Sequence, residues 1–197
     1  REEIVWGPGY ITDKIGDLQF IVSARSFWQV NPEGTKVVYD KVKEYAQLTG
    51  KETVLDIYCG TGSIGLYLAA RADRVIGIES NPWAVRDAQK NALLNKVEKA
   101  KFYKGKAEDL LPQMVRAGLK ADVIVLDPPR KGCEAPLLEA VASAKPERII
   151  YVSCNPATLA RDLNILVEKG YPVREVQPVD MFPQTYHVEM CVLLCNG

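Results

Sequence analysis

The chain has 197 residues, of which 47% are hydrophobic and 25% are charged, as in an ordinary globular domain. This length suffices for one large α/β domain, and no apolar run approaches the ~18 residues of a membrane-spanning helix. Because 25 basic residues balance 25 acidic ones, the net charge excludes a strong non-specific attraction to nucleic acid. Any RNA partner would have to be held by a local basic patch or by another domain.

The cysteines indicate a reducing environment. They are odd in number and form no CxxC pair, which argues against a disulfide framework and against a zinc site. We therefore expect a cytoplasmic protein with no bound metal and with five free thiols, at Cys59, Cys133, Cys154, Cys191 and Cys195.

The order of predicted elements indicates one main domain. Residues 1–30 are predicted to form a short N-terminal β-segment, with strands at 4–11 and 18–22, and residues 31–197 a catalytic-type domain. After a helix over 32–48, strands alternate with helices, which predicts a mostly parallel, doubly wound sheet of the Rossmann-like type with a late antiparallel strand. The predicted strands cover 54–58, 74–79, 101–103, 122–127, 148–153, 173–179 and 188–195; the helices cover 62–71, 82–95, 107–115, 135–144 and 156–169.

A glycine-rich turn follows the first strand of this alternating region. The sequence LDIYCGTGSIG contains Gly60, Gly62 and Gly65 in a G-x-G-x-x-G pattern. Glu79 ends the next strand, at the spacing of an acid that binds the ribose hydroxyls of a dinucleotide. NAD is therefore one candidate ligand.

Three acidic residues favour S-adenosylmethionine over NAD. Asp56 lies in the turn, where its charge would repel a pyrophosphate but suit a cation. Glu108 and Asp109 follow the third strand, where an acceptor for the adenine amine is useful. S-adenosylmethionine has no phosphate and carries a sulfonium and an ammonium group, so it fits these acids better.

A second group of candidate residues follows the next two strands. Asp127 and Arg130 belong to the stiff loop DPPRKG, and Cys154 follows directly after the next strand in YVSCNP. Ligands of open α/β sheets bind at the carboxyl edge, so we expect Asp127 and Cys154 to face one crevice beside the cofactor.

Cys154 precedes a helix that is predicted to begin at Pro156. The positive end of that helix is expected to lower the thiol pKa. A methyl donor, a thiolate and a carboxylate together suggest methylation of C5 of a pyrimidine, because that carbon becomes nucleophilic once a thiolate has added to C6.

Glu189 interrupts an otherwise apolar strand, so it needs a partner or a function. His187 lies two residues earlier and is the only histidine. We interpret His187 as a hydrogen-bonded structural residue. Glu189 is either a functional carboxylate or a charge at the surface edge of the sheet.

Five sequence blocks resemble the S-adenosylmethionine-dependent RNA (uracil-5-)-methyltransferases. They run from about residue 18 to the C-terminus and read SFWQVNP, DIYCGTGSIG, DPPRKG, YVSCNPATLARDL and PVDMFPQTYHVE. Their amino-acid sequences are most similar to those of the members that act on 23S rRNA, although the members that act on tRNA share the same blocks.

The resemblance implies roles for individual residues. Cys154 matches the nucleophile, Glu189 the base that removes the C5 proton, and Asp127 an acid between cofactor and uracil. The other implied positions are cofactor contacts at Gln29, Tyr58, Gly60, Gly62, Ser63, Glu79, Glu108 and Asp127, and RNA contacts at Phe27, Gln29, Arg130 and Arg161.

The resemblance also implies a partner domain. Family members usually carry an N-terminal RNA-binding domain, whereas this chain opens at Arg1 and is expected to be a monomeric catalytic fragment. There are three rival functions. The first is an amino-methyltransferase, for which Arg130 stands where a base-stacking aromatic residue is expected. The second is a cofactor-binding RNA-binding module without turnover, and the third is a nucleotide-dependent dehydrogenase, which Asp56 and the pair Glu108-Asp109 disfavour.

Overall fold

The computed structural model describes residues 3–197. Its strands are β1 (Tyr10–Ile15), β2 (Leu18–Ser23), β3 (Thr53–Ile57), β4 (Arg74–Glu79), β5 (Ala100–Lys104), β6 (Val123–Leu126), β7 (Arg148–Ser153), β8 (Val173–Val179) and β9 (Glu189–Cys195). Its helices are α1 (Pro32–Ala46), α2 (Ser63–Ala69), α3 (Pro82–Leu94), α4 (Ala107–Arg116), α5 (Ala135–Ser143) and α6 (Pro156–Glu168). Among the described residues, no helix is long and apolar enough to cross a membrane.

Seven strands form the main sheet, in the order β5-β4-β3-β6-β7-β9-β8. The pairs from β5 to β7 are parallel, whereas β9 is antiparallel to both of its neighbours. The order reverses at β3, so the crevice for a ligand is expected beside the carboxyl end of that strand. The predicted doubly wound sheet with a late antiparallel strand is confirmed.

Three helices cover each face of the sheet. Helices α1, α2 and α3 pack on one face, and α4, α5 and α6 pack on the other. The strands are apolar on both faces: Val123 and Val125 of β6 face the first layer, while Ile124 and Leu126 face the second. Such continuous apolar strands are typical of a parallel sheet buried on both sides.

Three of the helices begin with the dipeptide Asn-Pro. Asn31, Asn81 and Asn155 cap α1, α3 and α6, and each side-chain oxygen accepts a hydrogen bond from a backbone N–H of the first turn. Proline suits the next position because it needs no hydrogen-bond partner there. The cap at Asn155 directly follows Cys154, so α6 begins two residues after the cysteine.

The N-terminal β-extension is a hairpin that packs on α3. Asp87 and Asn91 of that helix, and Asn95 at its C-terminal cap, accept hydrogen bonds from backbone N–H groups of β2. Phe20 of β2 is fully buried in the core. The division of the chain at residue 30 stays a prediction.

One predicted strand was placed wrongly. Residues 4–9 are not in a strand, because Gly7 and Gly9 adopt positive φ angles of 82° and 77°. The strand instead covers Tyr10–Ile15, whose polar residues Thr12, Asp13 and Lys14 hid it from an apolar pattern.

Candidate active site

A pocket of about 780 Å³ opens at the carboxyl edge of the sheet. The ends of β3, β4, β6 and β7 converge on it, and antiparallel β9 begins there. Nearly all of the site residues predicted from the sequence line it: Phe27, Gln29, Tyr58, Gly60, Ser63, Glu79, Glu108, Asp127, Arg130, Cys154 and Glu189. Gly62 and Arg161 do not.

Gly60 and Gly62, in the turn after β3, have different structural roles. Gly60 has a φ of +53°, and a Cβ placed there would meet no atom within 4 Å. Gly62 has a φ of +78°, and a Cβ there would lie 2.7 Å from the ring of Phe102. Gly60 therefore leaves the pocket side of the turn open to a ligand, while Gly62 lets the turn pack against the fold.

Asp56 does not face the pocket, which corrects the expectation that its charge meets a ligand. It is fully buried and accepts a hydrogen bond of 2.9 Å from the backbone N–H of Gly65. Alternation along β3 turns its side chain toward α2 instead of the strand end. Burial raises its pKa to about 8, against the pull of the Gly65 hydrogen bond.

Glu79 joins the glycine turn to the start of α3. Its Oε2 accepts a hydrogen bond of 3.1 Å from Gly60 N–H, and its Oε1 accepts one of 2.7 Å from Asn81 N–H. The carboxylate is thereby fixed at the pocket wall, where a ribose would reach it.

Two tyrosines order the walls on either side of the turn. Tyr58 has a φ of 63°, which is uncommon for a residue with a side chain, and its hydroxyl donates a hydrogen bond of 2.7 Å to Glu108. The hydroxyls of Tyr39 and Ser63 lie 2.7 Å apart. Tyr39 and Phe182 both line the pocket without having been predicted, since each is part of an ordinary apolar pattern.

Asp127 and Glu189 are the two acidic residues of the pocket lining whose charges act on Cys154. Glu189 is only 5% exposed, and within residues 3–197 no hydrogen bond reaches either carboxylate. Burial raises the pKa of Asp127 to about 7. Burial and the nearby charge of Asp127 raise the pKa of Glu189 to about 8. Both shifts would reverse if a cation entered the pocket.

The pKa of Cys154 is raised, whereas the start of α6 was expected to lower it. Burial is the main cause, and the charges of Glu189 and Asp127 add to it. Arg130 acts in the opposite direction. The expectation was wrong because it considered only the helix that follows the cysteine. It left out the burial of the thiol and the acids that the ends of β6 and β9 bring to the same edge.

Arg161 holds the loop after β6 and does not line the pocket. Its Nη2 donates hydrogen bonds of 3.0 Å to Lys131 O and 3.1 Å to Cys133 O. Its Nε donates one of 2.8 Å to Asp162, which is fully buried and accepts one of 2.7 Å from Cys133 N–H. These contacts assign the guanidinium to the protein backbone instead of a phosphate.

The same loop is tied to the residues directly after Cys154. Asn155 Nδ2 and Thr158 Oγ1 donate to the carbonyl of Arg130 at 3.0 Å and 3.2 Å. Arg130 is therefore held at the pocket mouth beside the cysteine. Its Nη2 also lies 3.5 Å from His187 Nε2, in keeping with a hydrogen-bonded His187.

The raised carboxyl pKa values predict that acid stabilises the ligand-free chain. Asp127 and Glu189 bind protons in the folded state up to about pH 7 and 8, but in the unfolded chain only up to about pH 4. The free energy of unfolding should therefore fall as pH rises from about 4 to about 8. Urea unfolding across this range measures it, and Glu189→Gln should flatten the decline; a wild-type stability that rises over this range would contradict the burial of these groups.

Comparison with known proteins first defines the class, a Rossmann-like methyltransferase fold. A structure of Trm5b from Pyrococcus abyssi covers 95% of this chain with a TM-score of 0.74 at 18% identity, which shows the fold alone. The structure of the Pyrococcus abyssi tRNA (uracil-54, C5)-methyltransferase in complex with S-adenosyl-L-homocysteine is more similar. It has a TM-score of 0.82 and 35% identity, and the match covers 96% of this chain and 45% of that one.

The family follows from the sequence comparisons. The model of the tRNA (uracil-5-)-methyltransferase family matches residues 10–196. A Bacillus cereus protein described as an uncharacterized RNA methyltransferase is 56% identical over 98% of the chain. The chain belongs to this family, as the resemblance predicted, and it spans 42% of the length of that relative.

Proposed function

We propose that this chain is the catalytic part of an S-adenosylmethionine-dependent enzyme that methylates C5 of a uridine in RNA. The observation that carries the proposal is the convergence of a cysteine and a carboxylate on one pocket. β7 ends just before Cys154, and its neighbour β9 begins at Glu189. Membership of the uracil-5-methyltransferase family supports the same reaction.

The pocket suits a cationic cofactor. The acidic residues that line it outnumber the basic ones by six to three: Glu79, Glu108, Asp109, Asp127, Glu134 and Glu189 against Lys106, Arg130 and Lys131. No donor among the described residues reaches the carboxylates of Asp127 and Glu189, so they would attract a positive group, which would lower their pKa values. When bound, S-adenosylmethionine supplies an electrophilic methyl group.

On this proposal Glu79 and the open side of Gly60 bind the ribose side of the cofactor, and Tyr58 with Glu108 borders its base. Gln29, Ser63 and Asp127 then form the wall between the cofactor and the uracil. The open space at Gly60 and the fixed carboxylate of Glu79 support this orientation.

Cys154 is the proposed nucleophile. Its thiolate forms a bond to C6 of the uracil, and the electron pair of the C5–C6 double bond moves toward C5 and O4. The C5 carbanion would then take the methyl group of the cofactor, and the electron pair of the broken S–CH3 bond would stay on sulfur, which leaves S-adenosylhomocysteine. Arg130 is the positive group that favours the thiolate, against burial and the neighbouring carboxyls.

Glu189 is the proposed general base. It takes the proton from the methylated C5, the electrons of that C–H bond restore the C5–C6 double bond, and the C6–S bond breaks with its pair on sulfur. The positive charge of the bound cofactor would lower the pKa of Glu189 from its raised ligand-free value, so that the carboxylate is ionised and can accept this proton.

For the RNA itself we propose 23S rRNA, on the wording of the five sequence blocks, with tRNA as the second candidate because the Pyrococcus abyssi neighbour is named for tRNA. We further propose a cytoplasmic monomer that depends on an N-terminal RNA-binding domain for affinity. Incubation with unmodified 23S rRNA and tRNA transcripts, followed by mass spectrometry of the nucleosides, tests the choice. Product in tRNA alone would replace the rRNA assignment.

Glu79→Ala is expected to weaken binding of S-adenosylhomocysteine by about tenfold to a hundredfold. The variant removes a charged acceptor whose hydrogen bonds are each worth roughly 1.5–3 kcal/mol, and it also frees the glycine turn. Calorimetry with the chain alone measures the loss. Glu98→Ala, a change outside the pocket lining, is the control; equal affinity in Glu79→Ala and wild type would remove Glu79 from the cofactor site.

A further inference from the structure

A short turn before β9 presents an aromatic ring at the pocket mouth. Thr185 closes the turn: its N–H and its Oγ1 both donate to Phe182 O, at 3.1 Å and 2.7 Å. Thr185 Oγ1 accepts a hydrogen bond of 3.2 Å from His187 N–H. Gln184 adopts a φ of 72°, a conformation that costs energy for a residue with a side chain. The turn is therefore well defined.

Tyr186 projects from this turn and is 89% exposed. One side of its ring lies against His187, with the ring centroids 4.3 Å apart and tilted by 40°. His187 is in turn supported by the ring of Phe182, whose centroid is 6.4 Å away. Among the described residues, His187 is the ring that contacts Tyr186, and the rest of the Tyr186 ring is open to solvent.

The turn is continuous with the candidate active site. Phe182 lines the pocket together with Cys154 and Glu189. Arg130, which also lines it, lies 3.5 Å from His187. Since arginine can only donate, His187 Nε2 is the acceptor. His187 therefore lies between a cation of the pocket lining, Arg130, and the exposed ring of Tyr186.

Because the proposed reacting groups are buried in the pocket, the target nucleotide must leave its base stack to reach them. Glu189 is 5% exposed and Cys154 is partly buried, so a uracil reaches them only when it is turned out of the base stack. The nucleotide next to it then loses its own stacking partner. Aromatic side chains commonly replace that partner in proteins that bind single-stranded RNA.

We propose that Tyr186 is the stacking platform for the base adjacent to the target uridine, and that Arg130 binds the phosphate that joins the two nucleotides. The substrate is then a single-stranded segment in which two neighbouring bases leave the stack. This inference rests on the proposed function, because it takes the uracil to lie against Cys154.

The test uses short single-stranded RNAs with 5-fluorouridine at the target position and fluorescent 2-aminopurine on its 5′ or its 3′ side. Stacking on Tyr186 should quench 2-aminopurine on one side only. Tyr186→Ala should abolish the quenching and weaken binding about tenfold, as is typical for loss of a base-stacking ring. Tyr186→Phe should behave as wild type, and so should Tyr103→Ala, a change to an exposed tyrosine on the far strand β5.

The outcomes separate this site from the reaction. Covalent adducts with equal quenching in wild type and Tyr186→Ala would keep the proposed function and overturn the platform. Quenching that depends on Tyr186, without any adduct, would keep the platform and overturn the covalent reaction. If wild-type chain quenches 2-aminopurine on neither side, the platform is overturned. The same holds if Tyr186→Ala changes only the self-association of the chain and not its binding of RNA.

Discussion

Cys154→Ala is expected to reduce methyl transfer to background while S-adenosylhomocysteine binds as in wild type. Without addition of a thiolate at C6, C5 of the uracil is too weak a nucleophile to take a methyl group, so no slower route remains. Cys154 is a partly buried residue at the end of β7, and removal of its Sγ leaves the strand pairing intact. Transfer of radioactive methyl groups to RNA measures activity, and calorimetry measures binding.

Cys195→Ala is the matched control for this variant. Cys195 is also a partly buried free thiol, but it lies at the other end of the sheet, opposite Arg148. It should retain full activity. Methylated uracil produced by Cys154→Ala would refute the covalent mechanism, and loss of activity in both variants would point to a general effect of thiol removal on the fold.

Glu189→Gln is expected to methylate once and then stall. Addition of Cys154 and methylation of C5 both precede removal of the C5 proton, so only the last step needs the carboxylate. Because a general base typically contributes ~10²–10⁴-fold, release of the product should slow by about that factor. The methylated RNA should remain attached to Cys154 and should appear as a slow band on a denaturing gel.

The control for Glu189→Gln is Glu139→Gln, which removes an exposed carboxylate on α5. It should turn over normally and show no slow band. The assignment of the base fails if Glu189→Gln turns over as fast as wild type; His187, two residues before Glu189 and beside Arg130, would then be the next candidate. Combining Glu189→Gln with Cys154→Ala should remove the slow band.

Much of the site was predictable because strand ends are local features of the sequence. Asp127, Cys154 and Glu79 each follow or end an apolar run, and parallel strands bring such ends to one edge. The sequence therefore identified which residues meet in the pocket. Glu189 was recognisable as a charge within an apolar strand. In the structure it is the first residue of that strand, β9.

The errors arise where the outcome depends on residues distant in sequence. Asp56 faces α2 because side chains alternate between the two faces along β3. Its position in the glycine-rich motif had suggested instead that it contacts the ligand. Arg161 donates its hydrogen bonds to backbone carbonyls about thirty residues earlier in the chain, so it is not available for a phosphate. The thiol of Cys154 responds to acids from two other strands. Tyr186 gave no signal, since exposure at a pocket mouth is a property of the folded chain.

The covalent adduct with RNA that contains 5-fluorouridine tests the central claim most directly. Fluorine at C5 cannot leave as a proton, so the reaction should stop after methylation with the RNA bonded to Cys154. Intact-mass measurement should show one adduct per chain that requires S-adenosylmethionine, and peptide mapping should locate it at Cys154. A chain that binds the cofactor and the RNA but forms no adduct, or forms it at another cysteine, would contradict the account.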